Sequence, residues 1–301
     1  MKLEFDLNQV STTEFGVGRD DNDDQIFSIV PVDGTVQAAL GDAARNTWNA
    51  MQELSKDPAK YEPSEKYASH EYVYVPVGDA LAQEIQNLHT ASNLATDTKV
   101  LDNAEDVFCY FARIVDKQGR HLTGLQRATR FKGLLKSRLI RFVSDALKLI
   151  EDRVFRIDND FDLIVDAKNV HVLRPSGFEF AGKLKDAVLA AVPQNVKLVQ
   201  QDLKFVDFDN IQAYAAKHSR AARYLASIRS QKETKGIDRN ALKNWCKKTG
   251  VDVDEVDGKL TVPDEQIMGF LEVLDRRRYE IELVKASPER FRAASRRKIE
   301  A

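Results

Sequence analysis

The strongest constraint on this fold is a change of period near residue 176. Residues 107–173 carry their apolar groups in short runs broken by Asx-rich turns, the pattern of β-strands. From Phe178 onward, apolar residues recur every three or four positions, the period of helices with one buried face. Strands followed by helices point to the α+β class. With 301 residues, 43% hydrophobic and 31% charged, the chain can build one large core or two ordinary ones.

The N-terminal third mixes both element types. Leu3, Phe5 and Leu7 alternate as in a half-buried strand, and residues 25–32 form another short candidate. Residues 35–56 place Val36, Leu40, Ala43, Ala44, Thr47 and Met51 at helical spacing, and Pro58 and Pro63 end that helix. A strand over 72–77 follows, then a helix to about Ala91 with Asp79 as its N-cap. The polar, aperiodic residues 92–104 predict a boundary. It leaves 1–100 as an acidic α/β accessory region and 105–301 as the main basic domain.

Within that domain, strands over 107–115 and 121–129 flank the turn residues Asp116-Lys117-Gln118-Gly119. Residues 131–150 fit two patterns. One is a helix with Phe131, Leu135, Leu139, Phe142 and Ala146 on one face. The other is a pair of strands, 138–143 and 147–150, around Ser144-Asp145, which Gly133 and the β-branched content favour. Strands over 155–157, 162–165 and 170–173 complete a central antiparallel meander spanning 105–175. The helical portion, 178–301, reads as helices over 179–192, 194–203, 209–230, 238–248 and 263–274. It also holds a β-hairpin around Asp257-Gly258 and a strand over 279–284.

Charge divides the chain differently. Residues 1–110 hold 7 Lys/Arg against 20 Asp/Glu, whereas 111–301 hold 38 against 27, so the net −2 hides an acidic front and a basic body. Residues 111–148 and 217–248 each hold ten basic and two acidic groups, and 276–298 hold nine and three. Such excess suggests an anionic partner, nucleic acid or a membrane surface. Arg outnumbers Lys in the first stretch, and its planar fork suits phosphate oxygens. The expected DNA-binding groups are therefore Arg127, Arg130, Lys132, Lys136, Arg138, Arg141 and Lys148, helped by Arg296, Arg297 and Lys298 in the tail. The competing reading has these charges solvating outer faces or pairing with the acidic third.

Few residues suggest catalysis. Cys109 and Cys246 are too few for a disulfide framework or a Cys-rich zinc site. No two of His70, His89, His121, His171 and His218 lie at ligand spacing, and His218 is expected on the buried face of its helix. Asp20-Asp21-Asn22-Asp23-Asp24 lacks the alternating ligands of an EF-hand. Gly16-Val17-Gly18 lacks the third glycine of a dinucleotide fingerprint. No metal, cofactor or catalytic residue is expected. One enzymatic alternative stands, because Asp158, Asp160, Asp162 and Asp166 cluster near strand ends, as a metal-dependent nuclease requires; Asp at strand ends also makes turns. No run approaches the roughly 18 apolar residues of a membrane helix, and the opening MKLEFDLNQV lacks a signal peptide's apolar stretch. A cytosolic chain is expected.

Phe155-x-Ile157, Phe161-Asp162-x-Ile164-Val165, Val170-x-Val172-Leu173 and Phe178-Glu179 form a spaced set of apolar and acidic positions. With the basic meander before it and the Asp-Gly hairpin and segment 271–279 after it, this set resembles the KwaB-like family, the soluble subunit of the Kiwa anti-phage defence system. The resemblance covers roughly 105–285 and leaves 1–100 unmatched. It implies a bacterial cytosolic protein that binds DNA and works beside a small membrane-embedded partner, KwaA, to block phage replication or late transcription. It transfers no catalytic residue; Asp162 and Glu179 fall on the family's acidic positions. The resulting expectation is a non-enzymatic homodimer that binds DNA without sequence specificity. Its partner would recruit it to the inner face of the membrane, with no insertion of its own. A metal-dependent nuclease and a protein–protein scaffold are the alternatives.

Overall fold

The computed structural model describes residues 1–21, 24–67, 71–100, 102, 104–129, 139–143, 146–150, 154–284 and 287–293. The fold is α+β, and packing divides the chain into two compact units. Residues 1–61 and 67–184 form the N-terminal unit, and 62–66 with 185–301 the C-terminal one.

The N-terminal unit runs β1 (Val10–Asp21), β2 (Asp24–Val30), α1 (Gly34–Leu54), β3 (Ala59–Lys60), β4 (Val73–Pro76), α2 (Gln83–Thr90), β5 (Ala95–Thr96), β6 (Val107–Asp116), β7 (His121–Arg127), β8 (Ile140–Val143), β9 (Ala146–Leu149), β10 (Leu163–Val165), β11 (Asn169–Val172) and α3 (Pro175–Ala181). Nine strands form one sheet in the order β3-β4-β11-β10-β7-β6-β1-β2-β5. Every pair is antiparallel except β3–β4 and β2–β5, the parallel pairs at the two edges.

β6 is the reason the expected boundary at 92–104 does not separate the units. Its sequence, VFCYFARIVD, is buried along nearly its whole length, so both faces and both neighbours must be supplied. β1 supplies one neighbour, pairing from Val10↔Asp116 to Arg19↔Val107. The acidic front thus shares a sheet with the meander. On one face Phe15, Val17, Tyr110, Ala112 and Ile114 pack with Leu40, Ala44 and Met51 of α1 in a single core. On the other, Phe27 meets Phe108 and Phe111 edge-on at 5.9 and 6.0 Å. Gly16 and Gly18 make room for those rings: a Cβ on Gly16 would lie 2.2 Å from Phe111, and one on Gly18 would lie 2.8 Å from Phe108. The Gly-x-Gly pattern is a packing device.

Two expected strands do not form. Leu3, Phe5 and Leu7 are buried, but their backbone is irregular. The Glu4 N–H donates to Asp166 Oδ2 (2.9 Å) and the Asp6 N–H to Asp116 Oδ2 (3.4 Å), so carboxylates replace a strand partner. Residues 155–157 are likewise irregular, with Phe155 held edge-on between Phe15 and Tyr110 at 5.3 and 5.7 Å. In the ambiguous stretch the strand pattern holds over 140–143 and 146–149. β8 and β9 pair antiparallel as a separate hairpin, while the turn at 144–145 and residues 130–138 lie outside the described residues.

The C-terminal unit runs α4 (Lys185–Ala190), α5 (Val192–Asp202), α6 (Asp209–Ala215), α7 (Ser219–Arg229), α8 (Arg239–Lys248), β12 (Asp254–Val256), β13 (Lys259–Thr261), α9 (Ile267–Leu274), β14 (Arg278–Val284) and β15 (Ser287–Arg292). Val196, Val199, Phe208, Ile211, Leu225, Ile228, Phe270 and Leu271 belong to its core. The helix expected over 209–230 is two helices. The chain breaks at 216–218, and His218 becomes the exposed residue before α7, its ring 4.1 Å from that of Tyr214. It therefore does not reach the buried face. Asp238 caps α8 through the Ala241 N–H (2.8 Å). The β12–β13 turn uses Asp257 and Gly258 at φ 48° and 76°, the left-handed pair that this hairpin geometry needs. β15 was not expected: Ser-Pro-Glu-Arg-Phe-Arg has no apolar alternation, and its pairing with β14 rests on backbone and on the Tyr279–Phe291 stack at 5.6 Å.

Candidate nucleic-acid interface

The four clustered acids of the N-terminal unit are each held by basic or hydroxyl groups, and Asp160 and Asp162 share Arg174. The Asp158 carboxylate meets the Tyr110 hydroxyl (3.3 Å) and Arg156 (3.1 Å). Asp160 meets Arg174 (2.7 Å). Asp162, buried at the start of β10, accepts from the Arg127 N–H (2.9 Å) and faces Arg174 (3.3 Å). Burial raises its pKa, against the hydrogen bond from Arg127 and the charge of Arg174. Asp166 is hydrogen-bonded to His171 Nε2 (3.1 Å), whose Nδ1 lies 2.9 Å from the Tyr72 hydroxyl. Burial would push the Asp166 carboxyl up, but the bonds from His171 and the Glu4 N–H hold it at about 2. Among the described residues no three His, Cys, Asp or Glu side chains converge as a metal would require. The acids that carry the family pattern act as joints: Asp162 ties β7 to β10 and to Arg174, and Glu179 accepts from the Tyr61 hydroxyl at 2.8 Å.

The expected DNA-binding residues fall into three groups. Arg127 is half-buried at the end of β7, with its guanidinium 5.8 Å from the Phe180 ring centroid. Arg141 and Lys148 are register partners across the β8–β9 ladder, and Lys148 is exposed. Ile140, Leu147 and Leu149, 56–63% exposed, belong to the alternate positions. Arg130, Lys132, Lys136, Arg138, Arg296, Arg297 and Lys298 lie outside the described residues.

Part of the basic excess is neutralised internally. Arg113 reaches Glu14 (3.9 Å) and Lys168 reaches Glu4 (3.0 Å), pairing the basic body with the acidic front inside one unit. In the C-terminal unit two buried acids at the end of α9 gather arginines. Glu272 accepts from Arg278 (3.0 Å) and Arg292 (2.5 Å) and faces Arg220 (3.5 Å). Asp275 accepts from Arg277 (2.5 Å), Gln231 (2.7 Å) and the Ser227 hydroxyl. Much of the 276–292 arginine run is thus structural.

The 217–248 stretch keeps more of its charge outward. Lys217, Lys232, Lys235, Lys243, Lys247 and Lys248 are all exposed. Arg239, Lys243 and Lys247 follow one another at four-residue spacing on α8, and the first two share Glu255 of β12 at 2.5 and 3.2 Å. Beside α8 opens a cavity of about 510 Å³ whose lining includes Ile237, Ala241, Trp245, Leu274, Arg276 and Tyr279. Its two aromatic side chains are 38% and 37% exposed, large values for Trp and Tyr in a groove. The Trp245 indole N–H donates to the Arg278 carbonyl (3.2 Å), which fixes the ring, and the Lys248 ammonium lies 5.7 Å from its centroid. Sequence reasoning missed this groove. The available signal was Trp245 in one basic stretch and Tyr279 in another, brought together only by the packing of β14 beside α8. Cys246, on the buried side of α8, is no nucleophile, since burial pushes its thiol up to about 12.

The model of a family described as Kiwa protein KwaB-like matches residues 105–283, more than half of the chain. Comparisons with curated proteins and with solved structures each found no match. No helix among the described residues is long and apolar enough to cross a membrane.

Proposed function

The chain belongs to the Kiwa protein KwaB-like family, which associates it with Kiwa anti-phage defence. On that premise we propose that it binds DNA through its phosphates, largely without reading sequence. The observation that carries this reading is the 217–248 stretch, ten cations against two acids with six of its lysines exposed. The β8–β9 hairpin adds a further exposed cation, Lys148. Backbone contacts of this kind position a protein on DNA and carry no sequence information. In this proposal the protein acts in the cytoplasm as a homodimer beside a membrane-embedded partner, and DNA is bound intact.

Gel shifts of a duplex at two salt concentrations test it. Six phosphate contacts predict an affinity loss of about a thousandfold between roughly 50 and 200 mM salt. Joint reversal of Arg141→Glu and Lys148→Glu should lower affinity for unrelated sequences alike. Arg127 is left intact because its half-buried position makes reversal a folding defect. Adding magnesium or manganese separates the nuclease reading: shortened DNA would establish cleavage and displace the binding-only reading. No shift even at low salt would leave the protein–protein scaffold.

A further inference from the structure

Resting on the DNA-binding reading, we propose that the groove between α8 and β14 holds unpaired bases of single-stranded DNA. Three observations converge on that occupant. The groove floor is apolar, built from Ile237, Ala241, Leu242 and Leu274, so it cannot solvate a phosphate or a sugar. Trp245 and Tyr279 line it with ring surface still exposed, and each ring is held by a second contact. Trp245 is held through its N–H to the Arg278 carbonyl, and Tyr279 through its stack on Phe291 at 5.6 Å. Cations occupy the edges, with exposed Arg276 in the lining and the Lys248 ammonium over Trp245, while Asp238, also in the lining, is engaged as the N-cap of α8.

An apolar, aromatic floor with a cationic rim matches a ligand that is flat and apolar at one end and anionic at the other. A nucleotide has that distribution, its base stacking on rings while its phosphate stays at the basic edge. In a duplex the base faces are covered by their neighbours, so only an unpaired strand can offer them. The volume, about 510 Å³, lies within the range of sites that enclose small organic groups. A stretch of strand rather than a free nucleotide fits the two separate cations at the groove: Lys248, on the same side of α8 as Trp245, and Arg276, which enters the lining from the end of α9.

The chain holds two tryptophans, so a Trp48→Phe variant makes Trp245 the sole indole. The full chain in this background would be titrated with oligo(dT) of about twelve nucleotides, with a duplex of equal length, with dTMP and with poly-glutamate. Affinity would be read by anisotropy of a labelled strand and contact by Trp245 emission. Oligo(dT) should quench Trp245. Trp245→Ala should weaken oligo(dT) at least about fivefold while duplex affinity stays within about twofold, and Trp245→Phe should keep most of the single-strand affinity. The inference is overturned if oligo(dT) binds but leaves Trp245 emission unmoved, or if Trp245→Ala binds it as tightly as before. It is equally overturned if dTMP or poly-glutamate fills the groove as tightly as the oligomer. These outcomes leave duplex binding untouched, so they strike the groove alone. Failure of both duplex and oligo(dT) to bind the wild-type chain strikes the underlying DNA-binding reading instead. Unchanged thermal denaturation and circular dichroism of the Trp245 variants would assign any loss to the groove rather than to unfolding.

Discussion

Asp162 is a buried carboxylate with no room to move. The Arg127 N–H holds one of its oxygens, Arg174 faces the other, and its own carbonyl accepts the N–H groups of Leu173 and Arg174. α3 begins directly above it, and Gly177 permits that approach: a Cβ there would stand 2.4 Å from Asp162 Oδ2. Gly177→Ala should therefore cost about 1–3 kcal/mol, the usual penalty for forcing atoms into a filled interior. Urea denaturation of the two proteins measures it, and an unshifted midpoint would mean that the carboxylate can swing away. This is why an acidic position in a family pattern need not be catalytic. A burial cost of this size is accepted when the charge joins two strands and a helix at one point.

At the scale of elements, α9 and the β14–β15 hairpin are one electrostatic assembly. Glu272 is 1% exposed and collects Arg278 and Arg292 from the hairpin and Arg220 from α7. Glu272→Gln should destabilise the C-terminal unit by about 1–3 kcal/mol, because it removes the charge-assisted hydrogen bonds to Arg278 and Arg292 while those partly exposed guanidinium groups stay hydrated. Chemical denaturation read by Trp245 emission in the Trp48→Phe background reports on that unit, and a loss below about 1 kcal/mol would show that water or other acids replace Glu272. The same assembly explains how charge counting overestimates the cationic surface. Arg277 and Arg278 look like a DNA-binding run in sequence, yet both are hydrogen-bonded inward. Helical period has a similar blind spot: Ile211, Tyr214, Ala221 and Leu225 keep their spacing across the break at 216–218, so one amphipathic stripe conceals two helices.

At the scale of the molecule, the family match covers 105–283, but the packed units do not coincide with it. β6 pairs with β1, β11 pairs with β4, and the segment 62–66 belongs to the C-terminal unit, where Lys66 meets the Ser227 hydroxyl at 2.9 Å. A fragment holding only residues 105–301 would expose the long apolar edge of β6, a template for aggregation. It should be insoluble or lack a cooperative thermal transition by circular dichroism. A sharp transition in that fragment would show that the front third is dispensable for folding.

Local chemistry alone determined a good deal of this protein. The α1 period, the Asp79 and Asp238 caps, the β6–β7 turn and the Asp257-Gly258 hairpin are each decided by residues within a few positions of one another. The α+β class and the family pattern follow from the same short-range information. Tertiary structure decided what depends on distant partners. It placed β1 beside β6, replaced a strand at Leu3–Leu7 with carboxylate contacts, turned inward those arginines that found Glu272 and Asp275, and set Trp245 near Tyr279. Periodicity records which side of an element is apolar, whereas pairing and charge compensation depend on which elements meet, and that is settled only when the whole core closes.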